Sequence, residues 1–247
     1  MKNSHGLSRT IPNPTKREIR QKSGFGCVIC GSGIIQYEHV DPEYHEAKKH
    51  ESDKMTLLCP SCHHKVTTGF WSKDKVKLAM KNPKCLEQGF SNEVFDIGCN
   101  DPVIYFAGSE IKNCQIPIEI KGISVFSIKS PEGENKNYQL SGNFFNSKGI
   151  KTLTIIDNEW FSESNNWDAE VIGQTITIRE KKREIALQLT TKPPNKIIVD
   201  KINMRIDNYV IKGDKDELSL YNAESSELLT TLSGIITSGS KVGFRFC

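Results

Sequence analysis

Two Cys-x-x-Cys pairs, Cys27/Cys30 and Cys59/Cys62, separated by 28 residues, constrain this chain more than any other feature of its sequence. Zinc takes four tetrahedral ligands, and two such knuckles supply four thiolates without straining either backbone. Gly24, Gly26 and Gly31 surround the first pair and let backbone N–H groups turn towards the sulfurs. The spacing therefore predicts one structural Zn²⁺ on Cys27, Cys30, Cys59 and Cys62. Such an ion adds about 10–16 kcal/mol of binding energy to folding, which a small two-stranded unit needs. The competing reading, four thiols in an apolar core, conflicts with the polar residues and glycines around both knuckles. Cys85, Cys99, Cys114 and Cys247 have no partner at ligand spacing; they read as small core residues, with Cys247 a terminal bystander.

No run of eighteen apolar residues occurs, which argues against a membrane-spanning helix. Met1 to Lys22 is polar and basic and lacks the apolar centre of a signal peptide, so a cytoplasmic location is expected. In that reducing compartment thiols bind metal more often than they form disulfides. The net charge of +3 divides unevenly along the chain. Residues 1–84 hold 15 Lys/Arg against 8 Asp/Glu, a net of +7, and residues 85–247 hold 18 against 22, a net of −4. A basic front joined to a mildly acidic remainder suggests that the front meets a polyanion; a solvated basic surface without a partner is the plain alternative.

The expected architecture is α+β, with a small zinc-stapled domain over 1–84 followed by an all-β sandwich- or barrel-like domain over 85–247. Residues 1–14 read as a mobile arm, with Pro12 and Pro14 blocking regular structure. A short basic helix follows from Thr15 to Lys22, then a strand over Ile34 to Val40. Asp41-Pro42 is a helix-start signal, predicting a charged helix to about Lys49. A strand over Met55 to Leu58 runs into the second knuckle, which opens a helix ending near Gly69. Ser72 caps another helix that places Val76, Ala79 and Met80 on one face. From about residue 94 the apolar period becomes two, as in Ile116/Ile118/Ile120, Ile185/Leu187/Leu189, Ile202/Met204/Ile206 and Val242/Phe244/Phe246. Nine or ten short strands are expected there.

Five of the six histidines lie between His39 and His64, inside or beside the knuckle pair. Such a concentration marks metal binding or acid–base chemistry. Over residues 15–70 the order Cys27/Cys30, Glu38-His39, then Leu57-Leu58-Cys59-Pro60-Ser61-Cys62-His63 resembles the HNH endonuclease family and its ββα-metal motif. The resemblance implies a phosphodiester hydrolase acting on nucleic acid, with double-stranded DNA the expected substrate. It makes His39 the general base, and Glu38 and His63 the ligands of a catalytic Mg²⁺ or Mn²⁺ ion. The chemistry suits the roles, since the reaction needs a base of near-neutral pKa and a cation against the phosphate. The family's usual Asp or His is Glu38 here, and its middle Asn is absent from 40–58, where Asp53 or Lys54 takes its place.

Arg17, Arg20 and Lys22 before the first knuckle, and His64 and Lys65 after the second, are candidate nucleic-acid contacts; solvated helix faces are the alternative. Phe70-Trp71 reads as core packing more than base stacking. The Asp157–Asp168 segment, with Trp160 and Trp167, reads as β-core anchoring that could also bind a partner. No catalytic spacing follows residue 85, so the β part is expected to target the front domain, sense a ligand, or form a homodimer or a contact with another protein. Two non-catalytic readings stand beside the nuclease: a zinc module that binds nucleic acid, and a protein-interaction module. A role in restriction or phage defence would rest on analogy alone.

Overall fold

A computed structural model describes residues 2–133 and 136–246; Cys247 lies outside them. The chain divides into two compact units, Met1–Glu93 with Ser162–Glu170, and Val94–Phe161 with Val171–Cys247. A stretch from the middle of the β-rich sequence is thus part of the first unit.

The first unit contains helix α1 (Asn13–Ser23), strands β1 (Gln36–His39) and β2 (Met55–Leu58), and helices α2 (Pro60–Thr67), α3 (Lys73–Lys81) and α4 (Lys84–Gln88). The two strands pair antiparallel, with Glu38 opposite Thr56 and His39 opposite Met55. Every residue of β2 is buried. Its period of two divides it between two cores. Met55 and Leu57 pack with Ile11 and Ile19, while Leu58 joins Val28, Val40, Val66, Val76 and three of the knuckle cysteines.

Helix α1 begins earlier than the sequence suggests. Pro12 is its N-cap and Pro14 falls in its first turn, where the missing N–H has no helical partner to lose. Gly24 ends it in the left-handed conformation, φ 67°. The helix expected over Pro42 to Lys49 does not form. Asn3 Nδ2 donates to the carbonyls of Tyr44 at 2.6 Å and Ala47 at 2.7 Å, and Ser4 Oγ donates to that of His45 at 3.0 Å. Those acceptors are committed to the N-terminal arm, which these bonds dock against the 44–47 segment.

In the second unit, strands Ile116–Ile120, Ile123–Lys129, Gln139–Phe145 and Lys151–Ile156 form an antiparallel meander. Val242–Phe246 joins its edge parallel to the first of them. A second meander runs Thr175–Lys181, Glu184–Lys192, Lys196–Ile206, Tyr209–Gly213, Leu218–Asn222 and Leu228–Leu232. Val103–Phe106 pairs parallel with its long central strand. Phe106 meets Phe126 edge-on at 6.2 Å, and Phe126 meets Phe144 at 5.0 Å, so an aromatic core links the two sheets. Neither sheet closes into a barrel among the described residues.

Among the described residues sixteen strands occupy Val103 to Phe246, more than the nine or ten expected. Tight turns cut apolar runs into separate hairpin arms. Ala107-Gly108, Lys121-Gly122 and Asp157-Asn158 each place two successive residues at positive φ, the geometry that matches strand twist. At Gly108 the requirement is double, because an added Cβ would also lie 2.2 Å from the carbonyl oxygen of Asp216. No helix among the described residues is long and apolar enough to cross a membrane.

Candidate metal centre

The β1–β2 hairpin and the N-terminus of α2 bring the two knuckles together. The four Sγ atoms of Cys27, Cys30, Cys59 and Cys62 all lie within 4.8 Å of one another, and Cys30 and Cys59 are 3.6 Å apart. A tetrahedral zinc with Zn–S bonds of about 2.3 Å sets its sulfurs about 3.8 Å apart, so the set fits the ion. Cys59 is also the N-cap of α2, and its sulfur accepts from the Cys62 N–H at 3.4 Å. One residue therefore ends the strand, starts the helix and supplies a ligand.

The electrostatics favour a thiolate at the centre. A hydrogen bond from Cys30 holds the Cys27 thiol at about 5 against its burial, while the same contact and burial push Cys30 up. Cys85 differs: burial raises its thiol to about 12 and it bonds the Gly31 carbonyl at 3.5 Å, so it backs the first knuckle as a neutral group. Gly26 is required at that contact, since an added Cβ would lie 2.7 Å from the Cys85 sulfur.

Among the described residues, the four cysteines are the only set of three or more Cys, His, Asp and Glu ligand atoms that converge. His63 follows Cys62, yet its ring turns from the cluster towards Glu38, with Nε2 at 2.8 Å from Oε2. The other Glu38 oxygen accepts from the Lys73 ammonium, which also donates to the His39 carbonyl at 3.1 Å. Glu38 and His39 leave β1 on opposite faces, as neighbours on a strand must. His39 Nε2 lies 3.1 Å from His50 Nδ1, and its ring is 5.4 Å from that of Tyr44. Burial, and then the charge of His50, lower the His39 pKa from the ordinary histidine value; Glu38 opposes them and Lys73 adds to them.

The candidate nucleic-acid contacts separate. Arg20 is 5% exposed, and its Nε and Nη2 each donate to the Asp168 carboxylate at 2.8 Å. It is an internal tie, a role hidden in the sequence because Asp168 lies 148 residues away. Arg17 stacks 4.5 Å over Trp167, and Lys22 pairs with Asp53 and bonds Ser52 at 3.0 Å. His64 is exposed on α2. Lys65 and Lys75 lie 4.5 and 4.7 Å from the Trp71 ring centre. Trp71 packs partly against the core around the knuckle cysteines, whereas Phe70 beside it is 76% exposed. The tie of Lys73 to Glu38 is not legible in the sequence, because the position of Lys73 three residues past Phe70 carries no local mark of that partner.

No protein-family model matches the chain, and no curated protein or solved structure is significantly similar to it. The likeness to HNH nucleases therefore rests on the residues already quoted, while the structure defines a small α+β domain whose four-cysteine cluster can coordinate a metal.

Proposed function

We propose that the first unit is a zinc-organised nucleic-acid-binding module whose contact face is built on α2 and α3. The observation that carries this reading is the grouping of Lys65 and Lys75 on Trp71, next to the exposed Phe70. Cations beside aromatic faces bind backbone phosphate and stack on bases. Residues 1–84, which hold α2 and α3, carry a net of +7; residues 85–93 and 162–170 add five Asp/Glu and no Lys/Arg, so the unit as a whole is +2 and its basic character is local to the segment that carries the proposed face. In a salt titration of labelled duplex and single-stranded DNA, affinity is expected to fall steeply. Lys65→Ala and Lys75→Ala should each lower the log–log salt slope by about 1. Affinity that ignores both salt and the double substitution would overturn the reading.

A second reading, cleavage of the bound strand, is favoured by the 2.8 Å approach of Glu38 Oε2 to His63 Nε2. Two donors this close suit a shared divalent ion, which would be Mg²⁺ or Mn²⁺ and would neutralise charge on the reacting phosphate. His39 would take the proton of the attacking water. Lys73 already places one positive charge on Glu38, which lessens the pull on an ion while leaving Oε2 directed at His63. Plasmid nicking with Mn²⁺, and with EDTA as control, tests this. His39→Ala is expected to cut the rate about 10²–10⁴-fold with little change in DNA affinity. Glu38→Ala should abolish cleavage and Glu38→Asp should retain or raise it. A His39→Ala protein that nicks as fast as its parent would leave binding alone as the function.

A further inference from the structure

When both imidazoles are neutral, the hydrogen bonds around His39 determine which of its nitrogens carries the proton. His50 Nε2 lies 2.9 Å from the Ser8 carbonyl oxygen. A carbonyl only accepts, so His50 Nε2 is protonated. A neutral imidazole holds one N–H, which leaves His50 Nδ1 as an acceptor. His39 Nε2, 3.1 Å away, must then be the donor. Its own Nδ1 is left with a free lone pair, the state needed to accept a proton.

Ser8 is held in place by a network that spans the arm. Asn3 Oδ1 accepts from the N–H groups of His5 at 3.0 Å and Leu7 at 2.9 Å. The Asn3 amide nitrogen donates to the carbonyls of Tyr44 and Ala47. Tyr44 returns its hydroxyl to the Leu7 carbonyl at 2.9 Å, and the Arg9 guanidinium lies 4.7 Å over the Tyr44 ring. The arm, Tyr44 and His50 thus form one closed set of contacts against the ring of His39.

We propose that His50, anchored on the N-terminal arm through the Ser8 carbonyl, is a positioning residue that holds His39 in the Nε2–H tautomer with Nδ1 open as the proton acceptor. The proposal deepens the cleavage reading and, for its catalytic consequence, rests on it. An orienting partner of this kind is worth about 10–100-fold in activity.

The test uses the full chain labelled with ¹⁵N-histidine and long-range ¹H–¹⁵N spectra recorded above the histidine titration range. The parent is expected to show His39 as one tautomer, protonated at Nε2. His50→Phe, and Asn3→Ala as a milder disturbance of the arm, should give a tautomer mixture. His50→Gln should restore the single form, because its amide can accept from His39 and donate to Ser8. Nicking should follow the same order: kcat falls about 10–100-fold in His50→Phe with KM nearly unchanged, and recovers in His50→Gln. An Nδ1–H tautomer in the parent, or one unmoved by either disturbing variant, would overturn the proposal. If the tautomers behave as expected but the parent never nicks DNA, the positioning stands and the cleavage reading falls.

Discussion

Replacing Cys59 with alanine is expected to unfold the first unit and release its metal, while the meanders of the second unit keep their strand pairing. The size of the effect follows from the composition of the core. Three of the eight residues in the cluster around the knuckles are cysteines, and the rest are mainly valines. Burying a Val or Leu side chain contributes about 1.5–3 kcal/mol, and ordering each residue costs about as much. A zinc site contributes about 10–16 kcal/mol, as much as the whole net stability of an ordinary domain. Cys59 also caps α2 and joins it to β2, so its loss removes a ligand and a helix start together. Elemental analysis should find one zinc per parent chain and almost none in Cys59→Ala, and limited proteolysis should digest residues 1–93 first. Folded parent protein without zinc, its four thiols freely alkylated, would refute the assignment.

Arg20→Ala is expected to destabilise the first unit by about 3–5 kcal/mol, because it takes the two-pronged guanidinium from the buried Asp168 carboxylate and leaves Arg17 no nearer than 3.8 Å. Arg20 makes a two-pronged bond to Asp168, donates to the Tyr37 hydroxyl at 2.8 Å and lies 3.1 Å from Glu170. Burial works against its charge, but the hydrogen bond to Asp168 and the electrostatic pull of Tyr37, Asp168 and Glu170 outweigh it, so the guanidinium pKa rises. Arg20→Lys should recover part of the loss, since an ammonium keeps the charge but lacks the planar fork. Chemical denaturation gives the stability change. DNA affinity of the folded variant should stay close to the parent's. An unchanged unfolding midpoint with a marked loss of affinity would return Arg20 to the nucleic-acid contacts.

What the sequence determined by itself was the short-range chemistry of the front unit. Two Cys-x-x-Cys pairs have few ways to satisfy four thiols, so the metal cluster was legible from spacing. The β2 strand and helices α2 and α3 were legible from Cys59-Pro60 and Ser72, because capping is settled within three or four residues, whereas α4 (Lys84–Gln88) was not. Alternation marked the buried faces of Ile118, Ile120, Ile202, Met204 and Ile206, because a strand's side-chain period needs no distant partner. The tertiary structure alone decided which charges serve the surface and which serve the interior. Arg20 looks no different in sequence from Arg17 or Lys22 until Asp168 arrives from 148 residues away. Asp41-Pro42 carries a helix signal that loses to Asn3, 41 and 44 residues distant from the carbonyls it bonds. Glu38 meets Lys73, and His39 meets His50 and through it Ser8, for the same reason. Pairing and burial are properties of groups brought together by the fold, and local spacing cannot express them.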